Sequence, residues 1–510
     1  SQRSEQVEAK TRELIAAWVD EHDGAEPDAR ALYRLERAAT RTSRPGKDHA
    51  VEADALRAEW TARAREAGFR ALSVPVGQGR LAEMTAVEAD VVIAEALQAV
   101  AATSATWLRA DLAREIAARL PATVASSAPA AVEWVDRLVE RAASRCVDLH
   151  PPAADDAPCR RDGRPVSEHV TDRRLTSAPV LEEEARLLGW ARSAVAAVSP
   201  VDDGQAGAAR AVSGNDRLVL VVGPAGAGKT TTLGVAAAVL RQQGRSAIGL
   251  APSGKAADVL AEETGWPATT LAKLLHEHAR PGGPQPAWQL PAGTTVVLDE
   301  AGMAATGDLD ALVAVVRRLR WRLVCVGDPA QLPAVGRGGM FSHWCETLPA
   351  HHLEEVHRFD DDWQAEASLA LRRGDAAAAA AYGAHHRLRT VHPALVADQV
   401  ARQHERLTGR GQSVAITTAS TSTARAINME IQRRRNPRRT GASAALTDGT
   451  RAFVGDQVAT RRNNAGLVTD AGSPVRNRQS WTVEQVGEDG SLTVAHPRRG
   501  RARLPADYVA

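Results

Sequence analysis

Lys229 and Thr230 close the run GPAGAGKT, Gly223 to Thr230, and glycines at that spacing before a Lys-Thr pair are what a phosphate-binding loop needs. Gly223, Gly226 and Gly228 free the backbone to wrap its N–H groups around phosphate oxygens. Thr230 and Thr231 then open a helix whose N-terminus adds partial positive charge. Lys229 is expected to reach the β- and γ-phosphates of ATP, and the Thr230 hydroxyl to ligate Mg²⁺. A second reactive pair, Asp299 and Glu300, ends the apolar run TTVVLDE. Two acids at the carboxyl end of a buried strand would lie beside the glycine loop. Asp299 is expected to hold Mg²⁺ through water, and Glu300 to orient and deprotonate the attacking water.

Other candidates lie around these. The Gln205 amide, one helix upstream, can pair with both the donor and the acceptor edge of adenine. Gln331, in GDPAQLPAVGRGGMF, is positioned to sense the γ-phosphate, and the glycines after it suggest a mobile loop. Arg358, in HHLEEVHRF, is expected to reach across a domain boundary to the transferring phosphoryl group. Ser253 and Lys255 follow a strand in APSGK, with Thr270 and His276 close behind, and Thr418 and Asn428 sit in a later strand–turn–helix. These six are candidate contacts for a sugar–phosphate backbone.

The elements that must position these residues follow from patterning. LVLVV (Leu218 to Val222) reads as a buried parallel strand, and the helix after the glycine loop stops near Gly244. SAIGLA, TTVVLD and WRLVCVGD supply three further strands, and SVAITT predicts another in a second α/β half. Residues 1 to about 70 read as helices with Trp18, Tyr33 and Trp60 on apolar faces. A second helical block follows, with Ser104 or Thr106 as a cap and Trp107, Leu108, Leu112 and Ile116 inward. It ends in the strand CVDL and a polar loop, Pro151 to Arg164. Three helices and a strand suggest a winged-helix element, for which core packing is favoured over DNA reading. RRRNPRR, Arg433 to Arg439, reads as a solvated loop, and the last 60 residues alternate like short antiparallel strands.

Bulk properties set limits. The 510 residues carry 63 Lys and Arg against 62 Asp and Glu, so no global field announces a nucleic acid, and any such contact must be local. Only five lysines occur, so finding Lys229 and Lys255 at motif positions singles them out. Cys146, Cys159, Cys325 and Cys345 form no metal-ligand spacing, which fits a reducing cytoplasm. No apolar run reaches membrane-spanning length, so no membrane insertion is expected. The start at Ser1 suggests a piece of a longer protein.

Together GPAGAGKT, APSGKAA, LDEAGM, GDPAQLPAVGRGG and LEEVHRF resemble the motifs of superfamily 1 DNA helicases of the 5′-to-3′, RecD/Pif1-like branch, over residues 200 to 510. In residues 1 to 200, ATRTSR, WLRADLAREIAARLP and LTSAPVLEEEARLL are similar to the stretch after the nicking domain in MobF/TraA-type conjugative relaxases. The resemblance implies an α/β fold of tandem RecA-like P-loop motor domains, the second interrupted by an SH3-like β-barrel and incomplete at the C-terminus, after a mostly helical N-terminal region. The boundaries expected are 1–197 for that region, 198–350 and 351–450 for the two motor domains, and 451–510 for the barrel. It implies ATP-driven movement along single-stranded DNA, with relaxosome and type IV secretion coupling components as partners. Trp288, in GGPQPAWQLP, is a candidate strand-separating tip. No relaxase histidine triad or nucleophilic tyrosine is recognisable, so nicking is not expected. The family's last two motifs are not found before Ala510, which leaves a helicase-shaped, DNA-binding or recruitment module without ATP turnover as the alternative.

Overall fold

The computed structural model describes residues 2–22, 29–42, 58–63, 84–121, 124–125, 127–149, 173–196, 204–435, 441–462 and 464–509. The chain divides into two compact units: Val76–His385, and a second made of Ser1–Pro75 with His386–Ala510. In the first, helices Ala86–Thr103, Arg109–Arg119 and Ala128–Ala143 precede an antiparallel pair, β1 (Val147–Asp148) and β2 (Leu175–Thr176). Ile93, Trp107, Leu112, Ile116 and Leu138 form its core. The middle helix is capped differently from the expectation. Asp111 reaches back to accept from the Leu108 N–H at 3.0 Å, while Ser104 bonds locally to the Thr106 carbonyl. A carboxylate in the first turn satisfies the free N–H and favours the positive end of the helix.

Six parallel strands follow: β3 (Leu218–Val222), β4 (Ala247–Ala251), β5 (Ala268–Thr270), β6 (Thr295–Leu298), β7 (Arg322–Gly327) and β8 (His351–His352), in the spatial order β5-β4-β6-β7-β3-β8. Every residue of β3, β6 and β7 is buried, as a sheet covered on both faces requires. Alternation along β3 feeds two cores. Leu218 and Leu220 pack with Trp190, Leu312 and Trp344, and Val219 and Val221 with Leu233, Ala236 and Leu260. Each fully buried Leu or Val contributes about 1.5–3 kcal/mol by leaving water. The sheet is therefore a stiff platform, and loops at its edges inherit that stiffness. This is the expected α/β architecture with a parallel sheet.

In the other unit, helix Gln2–Glu21 places Trp18 in a stack on His22 with ring centroids 3.8 Å apart. Trp60 is 62% exposed and so does not pack as expected, and the Tyr33 side chain lies outside the described residues. The expected strand over 413–418 is not formed. The segment pairs with no strand among the described residues, and Ile416 stays 38% exposed. An apolar run becomes a sheet strand only where neighbours satisfy its N–H and C=O groups. Arg433 and Arg434 belong to helix Thr421–Arg435 rather than to a loop, and both pair with Glu430. Toward the C-terminus, β9 (Ser443–Ala445) pairs with β10 (Arg451–Phe453) and β12 (Asn464–Val468) with β13 (Pro474–Val475). A four-stranded antiparallel sheet forms in the order β11 (Gln457–Ala459), β14 (Ser480–Val486), β15 (Leu492–His496), β16 (Gly500–Leu504). Trp481, Val483 and Val494 fill its core.

Candidate nucleotide-binding site

The glycine loop leaves the carboxyl end of β3, where the Gly223 N–H donates to the Gly327 carbonyl at 3.0 Å. Gly226 (φ 86°) and Gly228 (φ 77°) hold the left-handed backbone that lets the loop curl before helix Lys229–Gln242. Each is also pressed from outside. A Cβ on Gly226 would stand 2.6 Å from the Arg358 Cβ, and one on Gly228 would collide with the Gln205 amide. Two side chains named from separate stretches of sequence thus converge on one loop. Gln205, in helix Gly204–Ser213, donates from Nε2 to the Ala227 carbonyl at 3.2 Å and lies 3.5 Å from His357 Nε2. The His357 N–H in turn donates to the Gly226 carbonyl at 2.9 Å. Beside them is a cavity of about 360 Å³ lined by Gln205, Ala227, His352, Leu353, Glu354 and Glu355. Arg358 sits in the same compact unit as the glycine loop, so it reaches that loop without crossing from another unit.

Lys229 Nζ donates to the Gly223 carbonyl at 2.9 Å and lies 4.0 Å from Glu300 Oε1. Asp299 accepts from the Glu300 N–H at 2.9 Å. Burial, and next the adjacent Glu300 carboxylate, push the Asp299 carboxyl up to about 6. An acid held that far up by burial and a like charge is poised to gain from a cation. Glu300 itself has φ 51° and ψ 45°, a left-handed conformation that costs a non-glycine residue about 1–3 kcal/mol and recurs at functional sites. Thr230 and Asp299 offer hydroxyl and carboxylate oxygens, the hard donors that suit Mg²⁺ shared with phosphates and water. Among the described residues no cluster of three or more His, Cys, Asp or Glu forms a self-contained metal cage.

Gln331 hangs from the loop after β7, with Nε2 donating to Asp328 Oδ2 at 3.3 Å. Asp328 is the anchor here and has a partner that sequence reading missed. Arg372 donates from Nε at 2.9 and 3.1 Å and from its terminal nitrogen at 2.7 Å. Burial works to raise the Asp328 carboxyl, but the Arg372 guanidinium and the Ala330 N–H outweigh it and hold it below the usual range. The glycine loop beyond Gln331 is not free. Arg337 donates to the Ala101 carbonyl at 3.0 Å, its N–H donates to the Ala102 carbonyl at 3.0 Å, and its guanidinium pairs with Glu183.

The nucleic-acid candidates are scattered. Ser253 and Thr270 cap helices Gly254–Thr264 and Leu271–His278, each accepting a backbone N–H at 3.2 Å, while Lys255 and His276 are exposed. Thr418 and Asn428 belong to the other unit, where Thr418 Oγ1 donates to the Ser420 carbonyl at 2.8 Å and Asn428 is exposed. Trp288 is no protruding tip. It is half-buried against the core that holds Trp190 and Leu312, with Lys273 Nζ 5.9 Å from its ring.

With this geometry in view, residues 200–393 match the family model described as an AAA domain (AAA_30). The "Probable conjugal transfer protein TraA" of Sinorhizobium fredii is 35% identical over 179 residues, 35% of this chain and 16% of that protein. The RecBCD enzyme subunit RecD of Mycolicibacterium smegmatis is 35% identical over 210 residues, 34% of this chain and 36% of that one. The matched part of this chain therefore spans about a sixth of the TraA relative and about a third of RecD. This chain is thus similar over part of its length to an AAA domain, to TraA conjugal transfer proteins and to RecD-type helicases. The ATP-dependent RecD2 DNA helicase of Deinococcus radiodurans is 31% identical over 150 residues, 28% of this chain and 20% of that one. Against a crystal structure of Bacteroides sp Pif1 in complex with ADP-AlF4 the TM-score is 0.27 at 15% identity, over 64% of this chain and 74% of that one, too low to compare the folds. Among the described residues no helix is long and apolar enough to cross a membrane.

Proposed function

We propose that this helicase motor hydrolyses ATP to move along single-stranded DNA in the 5′-to-3′ direction, as the translocating part of a cytoplasmic conjugative transfer protein. The reading rests most heavily on the convergence of Gln205, Arg358 and the Lys229–Glu300 pair on one glycine loop. Gln205 binds the adenine edge, and the backbone N–H groups from Gly226 to Thr231 cradle the phosphates. Thr230, and Asp299 through water, would hold Mg²⁺, which would neutralise phosphate charge there. When phosphates enter, Lys229 exchanges the Gly223 carbonyl and Glu300 for phosphate oxygens. Glu300, freed from the ammonium, takes a proton from water as the water oxygen bonds to the γ-phosphorus and the bond to the ADP oxygen breaks. Arg358 stabilises the equatorial oxygens, and Gln331 reads whether the γ-phosphate is present.

Ser253, Lys255, Thr270 and His276, and in the other unit Thr418 and Asn428, are the proposed contacts to DNA. The proposed layout around them starts the second RecA-like domain beyond His385, where the first compact unit ends, and keeps an SH3-like barrel over 451–510, and TraA-type relatives make relaxosome and secretion-coupling components the proposed partners. The test is steady-state ATP hydrolysis with and without single-stranded DNA. DNA-stimulated turnover that falls at least about 100-fold in Lys229→Ala is the expected result. DNA binding with no hydrolysis under any condition would replace the motor by a recruitment module.

A further inference from the structure

The parallel sheet has a second charged edge. At the amino ends of β3, β4, β6 and β7, opposite the glycine loop, lies a cavity of about 740 Å³. Arg217, Arg245, Arg317, Arg320 and Arg322 line it, and no Asp or Glu does. The two inner guanidiniums are built into the fold through neutral acceptors. Arg322, 5% exposed, donates to the carbonyls of Asp216 at 2.7 Å, Val212 at 3.1 Å and Ala211 at 3.2 Å, and to Thr295 Oγ1 at 3.0 Å. Arg245 donates to the Ser213 and Gly214 carbonyls at 2.7 and 2.6 Å. Carbonyls fix direction without cancelling charge, so the positive field survives burial. Burial, and after it the Arg245 charge, press Arg322 down to about 10, with the Asp216 carboxylate acting the other way. The three outer arginines, Arg217, Arg317 and Arg320, are exposed and form no ion pair among the described residues.

Trp190 and Trp321 also line this cavity, at 6% and 3% exposure. Guanidinium groups are donors only. A site that offers donors and positive charge without an acidic side chain matches a ligand that is all acceptor and negatively charged. Five guanidiniums around one cavity exceed what a single phosphate engages.

We propose that this cleft binds a ligand carrying several phosphate groups, at a site distinct from the glycine loop. The site goes beyond the proposed motor reaction and needs neither its chemistry nor its polarity. The phosphates come from one of two sources, a free polyphosphate or the backbone of a nucleic acid, and the test separates them. Sodium tripolyphosphate is titrated by calorimetry into the Lys229→Ala chain, which weakens the glycine loop as a rival phosphate site. The same titration is run with Arg217→Ala and Arg317→Ala added. Neither arginine side chain forms a hydrogen bond or ion pair among the described residues, so circular dichroism is expected to stay unchanged. Binding should weaken at least about tenfold on losing two charge-assisted contacts. Arg320→Gly gives a second reading, because Arg320 has φ 54° and glycine relieves that backbone while removing the charge. It should also weaken binding several-fold. A thymidine oligonucleotide that displaces tripolyphosphate from the Lys229→Ala chain identifies a nucleic-acid backbone as the source, and failure to compete identifies a free polyphosphate. The proposal is overturned if the Lys229→Ala chain does not bind tripolyphosphate, or if the arginine variants bind it as tightly as their parent.

Discussion

Asp328 shows how one residue ties a reactive loop to its platform. Asp328 is 4% exposed, accepts three contacts from Arg372 across both carboxylate oxygens, and carries the Gln331 amide on Oδ2. Removing Arg372 would leave a buried carboxylate without its cation, a loss of about 3 kcal/mol at neutral pH. The sign of the pH dependence follows from the lowered carboxyl. A carboxyl held below its unfolded value contributes stability that is complete above that value and lost as pH falls through the folded one. The stability gap between the parent chain and Arg372→Ala should therefore be widest at neutral pH and close below about pH 4. Urea denaturation at both pH values measures it, and an equal gap in acid would remove the ion pair as the cause. The sequence makes Asp328 visible because it ends an apolar strand. Arg372 has no such mark among 58 arginines, and only the fold brings it 44 positions back to its partner.

At the scale of elements, the loop from Leu332 to Gly339 looks mobile in sequence because it is rich in glycine, and Val335 is 99% exposed. Its far end is nevertheless fixed. Arg337 is 9% exposed, spans the Ala101 and Ala102 carbonyls at the end of helix Ala86–Thr103 and the acids Glu183 and Glu184, and its carbonyl accepts from the Thr306 N–H at 2.7 Å. The N-terminal helical module thereby holds one end of the loop that carries Gln331. Arg337→Met keeps the aliphatic stem but leaves two half-buried acids without their cation, a loss of about 1.5–3 kcal/mol. Hydrogen exchange at the Arg337 and Thr306 amides should speed up in that variant, with the β3 amides unchanged. Unaltered exchange at both positions would mean the arginine does not pin the loop. Local patterns made the strand–loop–helix around Lys229 legible, because β-branched runs and glycines act over a few residues. They misplaced the 413–418 strand and gave Ser253 and Thr270 a possible ligand role without revealing that both cap helices. Strand formation needs neighbours, and a cap depends on backbone geometry that the residue type alone leaves open.

For the whole molecule the decisive quantity is charge. A net charge of +1 gives no long-range pull on a polyanion, so DNA affinity must come from contacts a few ångströms long. Of the six proposed DNA contacts, Lys255 is the one lysine or arginine, and Ser253, Thr270, Thr418 and Asn428 bring hydrogen bonds without charge. Counterion release scales with the phosphates that cations neutralise, about 0.7 per phosphate on a single strand. One or two such contacts predict a log–log slope of affinity against salt shallower than about −2. Fluorescence anisotropy of a labelled oligonucleotide across a salt series gives that slope. A value near −4 or steeper would mean that several further cations meet phosphates. The arginine cleft at the amino edge of the sheet is then the first place to look, because its five guanidiniums face no lining carboxylate. The slope should in that case flatten in Arg217→Ala combined with Arg317→Ala. If the slope is shallow in the parent chain and those substitutions leave it unchanged, the strand is held without the cleft, and the cleft serves a separate polyphosphate.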